Sequence, residues 1–520
     1  MSKVIALTGT SGAMGGEVLL SLMRSPENHK VRCILFEEEH SIPSFVKKTI
    51  RKYRDRIYAF KGDIAHYDVC VHLIDGADYV FNCASLIPPK SDHDPVGTYR
   101  SNFVGTKNLV DAIMASGREN EIAYIHIATV AMYGHRAYPH VWIRVGDPMI
   151  SSDYDVYSMQ KMKAEKYVLE SGLKKFVSLR QTAVLHKYMF KNNLKDGLMF
   201  HTTWNCSLEW VTDVDSGILC KKIVENDGRG ELDGFWNRIY NIGGGESCRV
   251  TGFETLNDGF MLMGKSAKKF FKPNWNVIRN FHGGWFYDSD ELENFLHFRS
   301  ESNEVFWKRM GKKYWYFKLG KIVPASLISK LAIKRLFKNT NSPMYWLNHN
   351  KEGRVRAFFY SRETYENLPD KWDEYPLLCE GKLEDGSEID YNELKNINNA
   401  KGRLLNHGYD DTKPLKSLTL EDLQDAAQFR GGKCLSTAFD GNVHDKALWQ
   451  CRDGHKFTLT PYTVLKGGYW CPHCCEPKPW RYGQIADIPY YGQVYFDSHD
   501  RSETDDTYPL TDHEEDFIKK

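Results

Sequence analysis

Residues 4–16 read VIALTGTSGAMGG. An apolar β-branched run ends in a threonine, glycines stand at 9, 12 and 15, and a helix-forming stretch follows. Glycine permits a tight strand-to-helix turn and a close approach of backbone to a ligand. The helix that follows points free N–H groups at whatever lies over the turn. Directly after a strand, this order reads as a dinucleotide site on the first crossover of a parallel sheet. Gly9, Ser11, Gly12, Ala13, Met14 and Gly15 are the expected contacts.

The next 230 residues keep the alternation. Strands are expected at Val4–Thr8, Val31–Phe36, Ile57–Phe60, Tyr79–Ala84, Ala123–Ala128, Phe176–Arg180 and Tyr240–Ile242. Most are near-continuous apolar runs, as strands buried on both faces must be. Helical stretches such as Gly16–Met23, Asn102–Ala115 and Tyr157–Glu170 lie between them. This predicts an α/β fold, a Rossmann-like doubly wound parallel sheet with a smaller substrate subdomain.

Polar signals fall at matching strand ends. "KGDIAHYD" places Asp63 and Ile64 after the third strand, where a carboxylate can accept from an adenine amino group. "VFNCASLIPP" places Cys83, Ala84 and Ser85 after the fourth, and "SNFVGTKNLV" opens the next helix with Asn102. "AYIHIAT" ends at Thr129, and "YSMQK" begins 28 residues later. Tyr157 and Lys161 are thus one helical turn apart, on one face. A free tyrosine with a pKa near 10 is a poor base at neutral pH. An ammonium one turn away favours the phenolate, so Tyr157 is expected to exchange a proton with a substrate hydroxyl or carbonyl.

These stretches, with "ATVAMYG" and "YNIGGG", occur in an order that resembles the extended short-chain dehydrogenase/reductase family. That family contains nucleotide-sugar epimerases, dehydratases and 3β-hydroxysteroid dehydrogenases. The resemblance covers roughly residues 1 to 300. It implies a catalytic group of Thr129, Tyr157 and Lys161. Thr129 would hydrogen-bond the reacting oxygen, and Lys161 would also hold the nicotinamide ribose.

The second strand ends in Phe36 and Glu37, with two further glutamates, and offers no arginine to a 2′-phosphate. NAD is therefore expected in preference to NADP, although Lys47, Lys48, Arg51 and Lys52 lie further on. Nucleotide-sugar members commonly carry an asparagine where this chain has Ala183, and a diphosphate-clamping arginine where it has Leu208. An apolar residue cannot pair with a diphosphate. Met189, Phe190, Leu198, Met199, Phe200, Trp204 and Trp210 lie nearby. They either line a pocket for a steroid-like or other hydrophobic alcohol or ketone, or form the core of the subdomain.

From about residue 301 the character changes. Residues 305–351 hold eleven Lys or Arg and no Asp or Glu, with aromatics interleaved, and 325–338 can form an amphipathic basic helix. This segment reads as a packed lid, a membrane-surface contact or a site for an acidic partner or nucleic acid. With a net charge of +1 the whole chain gives no strong nucleic-acid signal.

Six of the twelve cysteines are scattered singly before residue 250, and five fall between 434 and 475. The pattern suits a reducing compartment with one metal cluster. Cys451-x3-His455, fifteen further residues, then Cys471-x2-Cys474 has the form of a structural zinc ribbon or treble clef. Cys434 and Cys475 are spare sulfurs. Four regions are expected: a nucleotide and substrate domain at 1–300, a basic aromatic extension at 301–415, a zinc module at 416–485 and an acidic tail at 486–520.

With neither a signal-peptide pattern nor an apolar run of roughly 18 residues, the expected location is the cytoplasm. The expected function is interconversion of a secondary alcohol and ketone with NAD(H). The alternatives are a nucleotide-sugar epimerase or dehydratase, and an NAD(P)-sensing binding protein. A small-molecule substrate is expected, and a homodimer stays open.

Overall fold

The computed structural model describes residues 2–36, 42–189, 195–474, 485 and 487–503. Glu37 and its neighbouring glutamates, Phe190, Cys475 and the acidic stretch after 503 lie outside the described residues. Seven strands form the central sheet: β1 Val4–Leu7, β2 Lys30–Leu35, β3 Ile57–Lys61, β4 Tyr79–Asn82, β5 Ala123–Thr129, β6 Phe176–Gln181 and β7 Arg238–Ile242. Their order is β3-β2-β1-β4-β5-β6-β7, with every pair parallel. All seven expected strands form, with ends that differ by one or two residues.

The alternation of side chains divides each apolar run between two cores. Ile5, Leu7, Phe81 and Ile125 face α1 (Ala13–Met23) and α4 (Asp213–Gly228). Ala6, Val80 and Tyr124 face α2 (Gly105–Ala115) and α3 (Val156–Glu170). The order reverses at β1, so the crevice beyond the carboxyl ends of β1 and β4 is the place where this fold binds ligands. Helix α2 starts later than expected. Tyr99–Val104 forms a wider π turn, and α-helical geometry begins at Gly105.

The second core continues without a break into the C-terminal half. One apolar cluster joins Val168 and Phe176 to Phe200, Trp204, Ile333 and Trp346, and then to Trp449, Tyr462 and Trp470. The expected basic helix at 325–338 is broken instead into Ala325–Ile328, a π turn at Ser329–Ile333 and a 3₁₀ turn at Lys334–Lys338. The phase shift lets Ile333 and Leu336 reach the core, with Phe337 against Phe200 and Trp275.

In the C-terminal module, α5 (Leu420–Phe429) starts at a capping box formed by Thr419 and Asp422. It precedes a small antiparallel sheet of β8 (Lys433–Cys434), β9 (Ala447–Gln450) and β10 (Lys456–Leu459), then α6 (Pro461–Leu465). The module covers the open edge of the main sheet. The hydroxyl of Tyr462 accepts from the Ile239 N–H of β7 at 2.7 Å, and Thr460 N–H and Oγ1 donate to Glu170 of α3 at 3.0 and 2.9 Å. An edge strand with unmet donors invites aggregation, and here it is closed from within the chain.

The deepest junction is ionic. Glu165 on α3 and Arg180 on β6 are fully buried, with Nη2–Oε2 at 2.7 Å and Nε–Oε1 at 3.1 Å. Ser178 donates to Oε1 at 2.7 Å and Tyr469 to Oε2 at 2.8 Å, while Arg180 also donates to Tyr133 OH at 2.6 Å and to Gly467 O at 2.7 Å. Removing one partner leaves the other charge buried and unmatched. Arg180→Met is expected to cost about 3–5 kcal/mol, with part of that recovered in the Arg180→Met/Glu165→Leu double variant. Chemical unfolding followed by fluorescence checks this, and an unchanged midpoint in the single variant contradicts it.

Candidate functional site

The turn after β1 is built by close approach. Gly9 has φ +68°, and a Cβ there would lie 2.5 Å from Cys83 O. A Cβ on Gly15 would lie 2.2 Å from Gly9 O. The turn closes with Gly12 N–H donating to Gly9 O at 3.0 Å. Gly12 is the N-cap of α1, and no side chain caps that first turn. The N–H groups of Ala13, Met14 and Gly15, which a side chain normally satisfies in part, are left for an anion. This geometry fits the pyrophosphate of a dinucleotide.

The other strand ends serve the same crevice. Ala84 N–H donates to Thr8 Oγ1 at 2.9 Å, which fixes the Cys83–Ser85 turn against the glycine loop. Asn102 is fully buried and grips the same turn, accepting from Leu86 N–H at 2.7 Å and donating to Leu86 O at 3.0 Å. Asn102 thus shapes the loop through both ends of its amide. Asp63 accepts from Ala65 N–H at 2.9 Å and pairs with Arg100 at 3.5 Å. Ile64 packs on Gly105. Phe36 is exposed at the end of β2.

Asp155 accepts from Ser158 N–H at 2.9 Å and so starts α3 one residue before Tyr157. Thr129, at the end of β5, lies beside the phenol. Its Oγ1 accepts from Ala131 N–H at 3.2 Å. Burial pushes the Tyr157 phenol up to about 12. Thr129 and Ser85 act to lower it, and Asp155 adds to the rise. The sequence expectation was a phenol lowered by Lys161. In the fold, Lys161 is buried and donates to the Ile127 carbonyl at 2.6 Å. Burial lowers its own pKa to about 8, against the opposing pull of Cys83 and Glu165. Desolvation is therefore the largest influence on the phenol.

A small, partly open cavity lies near the start of α3, with Tyr133, His135, Ile150, Ser152, Asn280 and His499 among its walls. None of these lining residues was singled out from the sequence. Only the "MYG" of "ATVAMYG" pointed to Tyr133. Ser152 Oγ and Asn280 Nδ2 are buried and make no hydrogen bond of good geometry among the described residues. Met199, Phe200 and Trp204 are instead packed in the main core, and Met189 sits in a separate cluster with Phe306 and Trp307. Leu208 is buried with Cys206 and Val250. The apolar residues near the site thus form core rather than a ligand surface.

The four metal candidates do converge. One ligand atom from each of Cys451, His455, Cys471 and Cys474 lies within 4.8 Å of the others. The Cys451–Cys474 sulfurs are 3.6 Å apart, and His455 Nδ1 lies 3.3–3.8 Å from the three sulfurs. Zn–S bonds of about 2.3 Å give tetrahedral edges of about 3.8 Å, so this Cys3His cluster can hold a metal ion. Cys434 lies outside it on β8, and His473 is exposed beside the His455 ring. The knuckle carrying Cys471 continues directly from Tyr469 and Gly467, the residues that bind Glu165 and Arg180.

Residues 5–201 match the model of the NAD dependent epimerase/dehydratase family. An uncharacterized membrane protein of Methanocaldococcus jannaschii is 30% identical over 118 residues, 22% of this chain and 32% of that protein. A 3β-hydroxysteroid dehydrogenase/Δ5→4-isomerase of Mycobacterium tuberculosis is 25% identical over 174 residues, 32% of this chain and 42% of that protein. The chain thus spans less than half of these curated relatives. A dTDP-glucose 4,6-dehydratase from Bacillus anthracis, solved with NAD, aligns at TM-score 0.49 and 18% identity over 61% of this chain and 98% of that one. A UDP-glucuronic acid 4-epimerase from Bacillus cereus aligns at 0.48 and 17%, over 60% and 100%.

The cluster geometry predicts about one tightly held metal per chain, all four positions being filled by protein ligands. Cys471→Ser is expected to lower metal content and to loosen the 433–474 module. Elemental analysis of the full chain checks this. A metal-free native protein removes the site.

Proposed function

We propose that the segment matching the NAD dependent epimerase/dehydratase family is an NAD-dependent enzyme of that type, acting at a hydroxyl-bearing carbon of a polar, sugar-like substrate. The family match over residues 5–201 carries the reading. A small cavity near the start of α3 has mixed polar and apolar walls, and two buried polar atoms there, Ser152 Oγ and Asn280 Nδ2, make no hydrogen bond among the described residues. Such atoms are costly unless water or a ligand meets them. The family match also supports epimerase/dehydratase chemistry over the steroid-like oxidation expected from the sequence.

Gly9, Gly12 and Gly15 would hold the pyrophosphate, with the α1 N-terminus opposing its charge. Bound NAD supplies a hydride acceptor. Tyr157 is protonated at neutral pH, with its pKa up at about 12, and suits donation to a carbonyl oxygen. For the reverse step it must be brought down, and Thr129 and Ser85 are placed to stabilise the phenolate. Lys161, near 8, keeps its ammonium at neutral pH and supports the charge. The Cys3His cluster is proposed to bind Zn²⁺ in a structural role, since no coordination place is left for substrate.

A second reading retains the hydrophobic alcohol or ketone. Leu208 and Ala183 stand where diphosphate-binding residues were sought, and the burial of Leu208 in an apolar cluster leaves no donor there.

Full-length protein supplied with NAD and a panel of nucleotide sugars is expected to convert one of them to an epimer or keto-deoxy product without net NADH, read by mass spectrometry. Stoichiometric NADH accumulation on a hydroxysteroid would favour the second reading. Tyr157→Phe keeps the ring and removes the proton, and at least ~10²-fold of turnover should be lost with NAD binding retained. Near-normal turnover would overturn the mechanism.

A further inference from the structure

The segment from Trp315 to Lys338 presents an apolar surface to solvent. Trp315 is 65% exposed, Ile322 81% and Leu331 62%, with Leu319 and Leu327 also outward. Monomeric proteins seldom leave large apolar side chains so concentrated without a use for them. The segment is nevertheless fixed to the body. Ser329 Oγ donates to Phe270 O at 2.7 Å, Lys265 Nζ to Gly320 O at 3.0 Å, and Ile333 and Leu336 are buried. The apolar tips are therefore held outward by a rooted scaffold.

The polar groups among these tips are cationic. Lys318, Lys321, Lys330 and Lys338 are exposed and form no ion pair among the described residues. Residues 305–351 contain no Asp or Glu at all. Lysines interleaved with tryptophan and aliphatic tips match the boundary between anionic headgroups and acyl chains. No described helix is long and apolar enough to cross a membrane, and these turns are short, so the contact is with one face of a bilayer.

We propose that residues 315–338 dock this chain on an anionic phospholipid surface. A second copy fits less well, because an isologous contact would set these lysines against their own images. Nucleic acid would meet the lysines but offers no hydrocarbon to Ile322, Leu327 or Leu331. The inference does not depend on the chemistry proposed for the crevice.

Co-sedimentation of the full chain with vesicles tests it. Vesicles of mixed phosphatidylglycerol and phosphatidylcholine should pellet the protein, phosphatidylcholine alone should pellet little, and added salt should weaken the binding. Lys318→Glu/Lys321→Glu/Lys330→Glu should weaken binding at least about tenfold. Ile322→Ser/Leu331→Ser should weaken it as well, with circular dichroism unchanged in both variants. Three results would overturn the proposal. They are no pelleting with either vesicle, binding indifferent to both variants, and a dimer in vesicle-free solution that Ile322→Ser/Leu331→Ser dissociates.

Discussion

The buried Glu165–Arg180 pair holds together parts of the chain that are far apart in sequence. Two charges removed from water are tolerable only when every remaining donor and acceptor is met. Ser178, Tyr133, Tyr469 and the Gly467 carbonyl meet them. The pair and its partners join three parts of the fold. Glu165 stands one turn beyond Lys161 on α3, Arg180 belongs to the central sheet, and Tyr469 and Gly467 belong to the C-terminal module. The helix that presents Tyr157 and Lys161 is thus clamped on one side by the sheet and on the other by residues next to the Cys3His cluster.

The clamp gives the C-terminal half a physical relation to the crevice. Tyr462 closes the free edge of β7, and Thr460 caps onto the last turn of α3 through Glu170. The Val494–His499 segment walls the small cavity. Arg279 ties that wall down, donating to Ser498 O and pairing with Glu503, both at 2.8 Å. Residues outside the family match therefore contribute to the walls of that cavity.

The sheet was legible in the sequence because its strands are buried on both faces, which leaves near-continuous apolar runs that local reading can find. The glycine turn and the Tyr157–Lys161 spacing were legible because each is set by short-range geometry. The clamp was not, since Tyr469 meets Glu165 across some three hundred residues. The phenol's proton affinity was misjudged for a related reason. Spacing places Lys161 one turn from Tyr157, but only the fold shows that burial is the largest influence on the phenol. The 325–338 segment has a helical pattern, yet the core takes Ile333 and Leu336 and leaves Leu327 and Leu331 outside, so a single helical phase does not persist. The apolar residues expected to line a pocket could not be told from core by composition, because both roles use the same side chains.

The central claim is that the glycine turn, closed by Cys83 and unblocked at the start of α1, is a working dinucleotide cradle. Calorimetric titration of NAD into the full-length chain tests it most directly. The account predicts saturable binding of about one NAD per chain. A folded chain that shows no saturable heat with NAD or NADP would contradict it.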